Sequence, residues 1–256
     1  MLELKNISVQ AEEKTIVKDV SFTVEKGSMS VLMGPNGSGK SSLVNAVMGH
    51  PLYSISKGKL FLNSEDITGL STEEKAKHGI FLSLQNVPKV GGVTLATFLH
   101  KAYIATHEFD ISVLEFYIEL RGEAEKYGID PNFLDRPLTA GLSGGEKKLS
   151  EVLQLIALKP KFAILDEIDS GVDIDALHTV FKAIEALRKE GTAFVIISHH
   201  PSLLDHLSPE HVHVMSEGKL VRSGGKELAI EIIKKGFCAA VECKHAKTCP
   251  GVCGGK

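Results

Sequence analysis

Apolar and polar residues alternate through residues 2–9, Leu-Glu-Leu-Lys-Asn-Ile-Ser-Val, which predicts a strand with one buried face. Val20-Ser-Phe-Thr-Val24 predicts a second strand, and Glu25-Lys26-Gly27 a turn after it. Met29 to Met33 is an apolar run interrupted only by Ser30, the pattern of a strand buried on both faces. Lys59 to Leu62 predicts a short strand, and Ile80 to Leu84 a buried one that ends at Gln85. Between them, Ser71 and Glu74 predict a capped helix that Gly79 closes. From Leu95 to Tyr127 the period becomes helical. Leu95, Phe98, Leu99 and Ala102 share one face, and Val113, Phe116, Tyr117 and Leu120 share another. Ser143 to Leu158 reads as one helix. Phe162–Leu165 and Phe194–Ile197 are fully apolar strands, with helices at about 173–190, 201–207 and 227–235. Residues 212–215 and 219–221 flank Glu217-Gly218 as a hairpin.

Strands alternating with helices predict an α/β fold with a parallel sheet, and the N-terminal strands predict an antiparallel β element beside it. Residues 1–86 and 159–236 form the expected α/β core with its β element. Residues 87–158 form an inserted α-helical subdomain, and 237–256 a Cys-rich tail.

Composition narrows the classes. A chain of 256 residues with 43% hydrophobic content can bury a sizeable core. A net charge of −3 gives no global basic field for nucleic acid. No apolar run reaches the roughly 20 residues of a bilayer span, so direct membrane insertion is not expected. The N-terminus carries no signal-peptide pattern, which predicts a cytoplasmic protein. All four cysteines fall between Cys238 and Cys253, which argues against a disulfide framework.

Chemistry concentrates first in Gly34-Pro-Asn36-Gly37-Ser38-Gly39-Lys40-Ser41-Ser42. It fits G-x-x-x-x-G-K-[ST] between a strand and a helix, the context of a phosphate-binding loop. The glycines let backbone N–H groups point inward, and the helix start adds its positive dipole end. Lys40 supplies a charge for the outer phosphates, and Ser41 a hydroxyl for Mg²⁺. Phe162 to Leu165 ends in Asp166 and Glu167. Asp166 is placed to hold Mg²⁺ through water, and Glu167 to polarise an attacking water. Leu142-Ser143-Gly144-Gly145-Glu146 contains a capping box, and its glycines bare the first-turn amides as a second anion-binding helix start.

With Leu142 to Glu146 the sequence resembles the ATP-binding-cassette ATPases over about residues 1–235. The resemblance implies a P-loop NTPase core of that type, with ATP and Mg²⁺ as ligands. It implies that Gln85 senses Mg²⁺ and the γ-phosphate, that Asp173 crosses to a partner subunit, and that His199 contacts the γ-phosphate. It also implies an ATP-dependent homodimer, in which Ser143, Gly144 and Gly145 of one subunit read the ATP held by Lys40 of another. One departure is that Ser8 to Lys14 contains no aromatic residue to stack on adenine, which leaves Val9 and Val17 as apolar contacts for the base. Gly141 to Lys148, Leu165-Asp-Glu-Ile-Asp-Ser-Gly-Val-Asp-Ile-Asp-Ala-Leu177 and His211 to Met215 resemble the SufC-type cassettes of iron–sulfur cluster assembly. That resemblance implies a SufB-like scaffold as partner, sometimes with a SufD-like one, docking on the Gln85 to Tyr127 region. The rival expectation is the ATPase subunit of a membrane transporter, whose partner is a permease.

The tail stands outside the cassette pattern. Cys238, Cys243, Cys249 and Cys253 follow C-x₄-C-x₅-C-x₃-C, and four thiolates in so short a span can wrap one Zn²⁺ or one iron–sulfur cluster. The alternative is a tail of free, reactive thiols.

Overall fold

In the computed structural model the alternating N-terminal segment is strand β1, Leu2–Ala11. It pairs antiparallel with β2, Lys14–Val24, on one side and with β4, Ser54–Leu62, on the other. The short β5, Glu65–Asp66, completes a sheet in the order β2-β1-β4-β5. The structure describes residues 1–83, 92–107, 110–138, 142–168, 172, 174–198 and 203–237. Both partners of β1 run longer than the hydrophobic pattern predicts, because the exposed residues Lys14-Thr15 and Ser56 to Lys59 join the ladders through their backbones. The alternation in β1 also changes parity. Leu2 and Leu4 are buried, then Ile7 and Val9. Asn6 and Asp19 explain the switch: both have positive φ, 51° and 54°, and the Asn6 amide donates to Asp19 Oδ1 at 2.8 Å. Bulges here move the apolar set back onto the core face.

The second sheet has the order β10-β9-β3-β8-β7-β6. Strands β3 (Met29–Met33), β6 (Ile80–Ser83), β7 (Phe162–Asp166), β8 (Ala193–Ile197) and β9 (His211–Ser216) run parallel, and β10 (Lys219–Gly224) turns back antiparallel on β9. Its central strands are buried along their whole length and mostly apolar, because each face is covered. Ala163 and Leu165 enter one core with helices α3 (Leu95–Thr106), α4 (Val113–Lys126), α5 (Gly144–Leu158), α6 (Ile174–Lys189) and α8 (Lys226–Lys235). Phe162 and Ile164 enter the other, with α1 (Lys40–Met48) and the four-stranded sheet. Helix α1 is thus packed among both sheets. Two shorter helices, α2 (Thr72–Lys77) and α7 (Leu203–His206), and a 3₁₀ turn at Pro131–Asp135 complete the described residues. That turn and β5 were not expected.

Two expected faces need correction. In α4 the buried residues are Phe116, Leu120 and Ala124, whereas Val113 is 61% exposed, because it stands at the helix start where the core has not yet closed. In the β element, Val9 and Val17 are a cross-strand pair with no exposed surface. Their side chains fill the core, so neither is available to a base.

One buried polar group sets a pH dependence. His213 on β9 bonds Ser223 through Nδ1 at 2.9 Å, packs on Phe22, and leaves Nε2 buried without a partner. Burial, with His211 nearby, lowers its pKa from 6.5 to about 4. The unfolded chain therefore takes up a proton between those values that the folded chain refuses. The stability tied to His213 is complete above about pH 6.5 and is lost as pH falls toward 4, a full swing of roughly 3 kcal/mol. Urea unfolding at pH 7 and pH 4.5 is expected to show a smaller acid loss in His213→Phe than in wild type. Equal losses would remove this histidine from the account.

Candidate functional site

Strand β3 ends at Met33, and the chain turns through Gly34, Gly37 and Gly39 at φ of 148°, 77° and 99°. Gly34 is required by a close approach as well: a Cβ there would lie 2.2 Å from the Met215 carbonyl oxygen. Asn36 and Gly37 form the exposed tip, Ser38 is buried, and Ser42 is half-buried on the first turn of α1. Helices α2 to α5 begin with hydroxyl caps from Ser71, Thr94, Ser112 and Ser143, but α1 begins at Gly39 with no side-chain cap. Its first-turn amides are left open, which is the condition for binding an anion.

Lys40 is 5% exposed, and its Nζ donates to the carbonyls of Gly34 at 2.8 Å and Pro35 at 3.0 Å. The ammonium therefore sits within the loop's own curl. Burial holds its pKa below the usual lysine value, while Asp166 and Glu167 act to raise it. Ser41, the next residue, stands near enough to the Asp166 carboxylate for its hydroxyl to act to lower that group's pKa. The structure thus brings Lys40, Ser41, Asp166 and Glu167 to one place, the carboxyl ends of β3 and β7.

Asp166 closes β7 and is 4% exposed. Burial pushes its carboxyl up, Glu167 pushes the same way, and the Ser41 hydroxyl and the charges of Lys40 and Lys148 oppose them. Its Oδ1 is buried without a partner. A hard cation with oxygen ligands fits this orphaned oxygen and the neighbouring hydroxyl, and Mg²⁺ is such a cation. Glu167 follows with φ of 54°, an uncommon conformation for a non-glycine residue, fixed by its N–H donating to the Ile197 carbonyl at 3.0 Å. Strained backbone of this kind clusters at functional sites.

The loop has a support that the sequence did not announce. Glu217 and Gly218, at φ of 49° and 77°, make the turn between β9 and β10. Gly218 donates its N–H to the Ser38 carbonyl at 3.0 Å and accepts from the Lys18 N–H at 2.7 Å. A Cβ on Gly218 would stand 2.1 Å from the Ile16 carbonyl oxygen. The only sequence signal was a hairpin dipeptide, which says nothing of what the turn touches.

Ser143 caps α5 as expected. Its hydroxyl accepts from the Glu146 N–H at 3.3 Å, and the Glu146 carboxylate accepts the Ser143 N–H at 2.8 Å. Those bonds lower the Glu146 pKa, and Arg136, paired with its Oε1, adds to the effect. Ser143 and Gly144 are exposed, but Gly145 is buried against the helical core, so the surface offered is narrower than the glycine pair predicts. The described hydrogen bonds of this helix start do not reach the Gly34–Ser42 loop of the same chain. Gln85, Asp173, His199 and the four tail cysteines, Cys238, Cys243, Cys249 and Cys253, lie outside the described residues.

Residues 17–170 match the ABC transporter family. "Vegetative protein 296" of Bacillus subtilis is 42% identical over 238 residues, which cover 92% of this chain and 91% of that one. "Probable ABC transporter ATP-binding protein SpyM3_0208" of Streptococcus pyogenes serotype M3 is 41% identical over 244 residues, 94% of this chain and 95% of that one. Among solved structures, a nucleotide-free ATP-binding cassette from an ABC transporter superposes with a TM-score of 0.76 at 26% identity, covering 91% of this chain and 94% of that one.

Proposed function

The chain belongs to the ABC transporter family of ATPases, and we propose that it couples ATP binding and hydrolysis to the closing and opening of a pair of cassettes. The α1 amides and Lys40 hold the phosphates. Ser41 and Asp166 would hold Mg²⁺, joined by Gln85, and the bound ion would neutralise charge on the phosphate oxygens. Glu167, the next residue after Asp166, polarises the attacking water, and His199 contacts the γ-phosphate. The helix start at Ser143 and Gly144, both exposed, with Gly145 behind them, reads the nucleotide of a second copy. The observation that carries this reading is the buried, partnerless Asp166 Oδ1 beside Ser41 and Lys40. Adenine has no aromatic partner in Ser8–Lys14, and Val9 and Val17 are buried, so phosphate contacts carry most of the affinity.

We further propose that the partner is a SufB-like scaffold, alone or with a SufD-like one, and that the paired motion drives iron–sulfur cluster assembly. The run Leu165 to Leu177 supports this reading. Helix α4 offers a docking face: Leu114 and Ile118, one turn apart, are 68% and 61% exposed. Apolar side chains so exposed on one helix face suit a protein contact. The names of relatives favour a second reading, a transporter ATPase with a permease partner. No helix among the described residues is long and apolar enough to cross a membrane. Pull-down from native extract separates them. The expected catch is a SufB-like protein, lost in Ile118→Glu while nucleotide binding persists. A permease with no SufB-like protein would overturn the assignment.

The tail enters the same reading. We propose that Cys238, Cys243, Cys249 and Cys253 hold one Zn²⁺ or one iron–sulfur cluster as thiolates. Iron, sulfide and zinc analysis after anaerobic purification is expected to find one site per chain, absent in Cys243→Ser. No metal under any loading would end this proposal.

A further inference from the structure

Helix α5 carries a buried ion pair along its length. Lys148 and Glu151 are 8% and 5% exposed, and Lys148 Nζ donates to both carboxylate oxygens of Glu151, at 3.0 and 3.1 Å. The buried Ser83 hydroxyl also donates to Glu151 Oε2. Ser83 is the last residue of β6, and in the parallel ladder it stands opposite Leu165, the residue before Asp166. The charge of Lys148 is felt at the Asp166 carboxyl as well. One carboxylate therefore ties α5 to the end of β6, beside the end of β7 that carries Asp166. A buried ion pair adds little net stability compared with apolar residues of the same volume, so its presence is not explained by stability alone. What it does fix is geometry, because breaking it on one side leaves a buried charge without its partner.

Helix α5 is also the helix whose first turn is Ser143 to Glu146. We infer that Ser83, Glu151 and Lys148 form a positioning link that sets this helix start relative to β6 and β7. Nucleotide held by a cassette's own loop is thereby coupled to how well that cassette presents Ser143 to the nucleotide of its partner. The inference rests on the paired-cassette reading above. None of the three residues touches the reacting atoms. They act through α5, so their loss spares nucleotide binding to the single chain and weakens pairing. By linkage the coupling is reciprocal: pairing tightens nucleotide binding by the same factor.

The test compares the full chain with Ser83→Ala, Glu151→Gln and Lys148→Met. Binding of a fluorescent ATP analogue is measured at concentrations where the chain is monomeric. Pairing in Mg-ATP is measured by sedimentation, and thermal melting reports on folding. Analogue binding is expected to stay at the wild-type level, while pairing weakens about tenfold, within the usual range of allosteric coupling. ATPase kcat falls with the pairing, and KM measured under fully paired conditions does not move. The double variant Ser83→Ala/Glu151→Gln is expected to be no worse than Glu151→Gln alone, since both break one link. Ser83→Thr, which keeps the hydroxyl, is expected to restore pairing. If Glu151→Gln melts below the assay temperature, Ser83→Ala carries the comparison, since it removes only one hydroxyl. Wild-type pairing in all three variants would overturn the link, as would analogue binding that falls in step with pairing. Absence of pairing in wild type would instead overturn the paired-cassette reading, and this inference with it.

Discussion

Lys40→Met is expected to cut ATP turnover by about 10²–10³, the usual effect of removing one preorganised electrostatic contact to a reacting group. The methionine keeps the buried stem and removes the ammonium. Lys40 has two tasks here that differ in their measurable trace. Without nucleotide its Nζ satisfies the Gly34 and Pro35 carbonyls, so the variant leaves two acceptors short of a donor. That costs about 1–3 kcal/mol at a buried acceptor and is read as a lower melting temperature. With nucleotide the ammonium is expected to turn to the phosphates, and its loss is then read as a higher Kd for ATP. Mg-ATP is therefore expected to raise the melting temperature of wild type and not of the variant. Undiminished turnover in Lys40→Met would refute the site.

Glu167→Gln is expected to have the opposite signature: turnover lost by about 10²–10⁴, with binding intact. Glutamine matches glutamate in shape but accepts no proton, so water goes unpolarised while the phosphate contacts of α1 remain. The backbone argues for this choice of variant over alanine. Glu167 is held at φ of 54° with its N–H on Ile197, and a substitution of similar size leaves that strained conformation supported. If pairing of cassettes is driven by ATP and undone by hydrolysis, the variant accumulates as a dimer in Mg-ATP, visible by size exclusion with light scattering. Only monomer, with or without the partner protein, would mean that ATP does not hold two copies together.

Much of this site was legible in the sequence because its residues act through short-range geometry. A glycine-rich turn between an apolar strand and a helix, and a strand ending in two acids, are local patterns. They correctly place Lys40 and Ser41 at the start of α1, and Asp166 at the end of β7 with Glu167 next to it. The capping boxes at Ser71 and Ser143 were equally local, and both are formed. What could not be read depends on contacts far apart in the chain. Nothing in Lys147-Lys148 distinguishes the buried lysine from a solvated one, since that is decided by Ser83 and Glu151 together. The lengths of β2 and β4 follow from backbone pairing with β1, to which side-chain polarity is a poor guide. Val113 was misplaced because a periodic pattern does not show where a core stops, and Val9 and Val17 because an apolar residue near a site reads the same whether it faces ligand or core.

The β9–β10 turn has a consequence for anyone who would engineer this chain. A two-residue hairpin turn with an exposed Glu217 looks like a natural place for a tag, a graft or a new terminus. Here its second residue is wedged between Ile16 and Ser38 and helps hold the phosphate loop in shape. An insertion there would be felt as lost nucleotide affinity before any loss of fold, so fusion partners belong elsewhere.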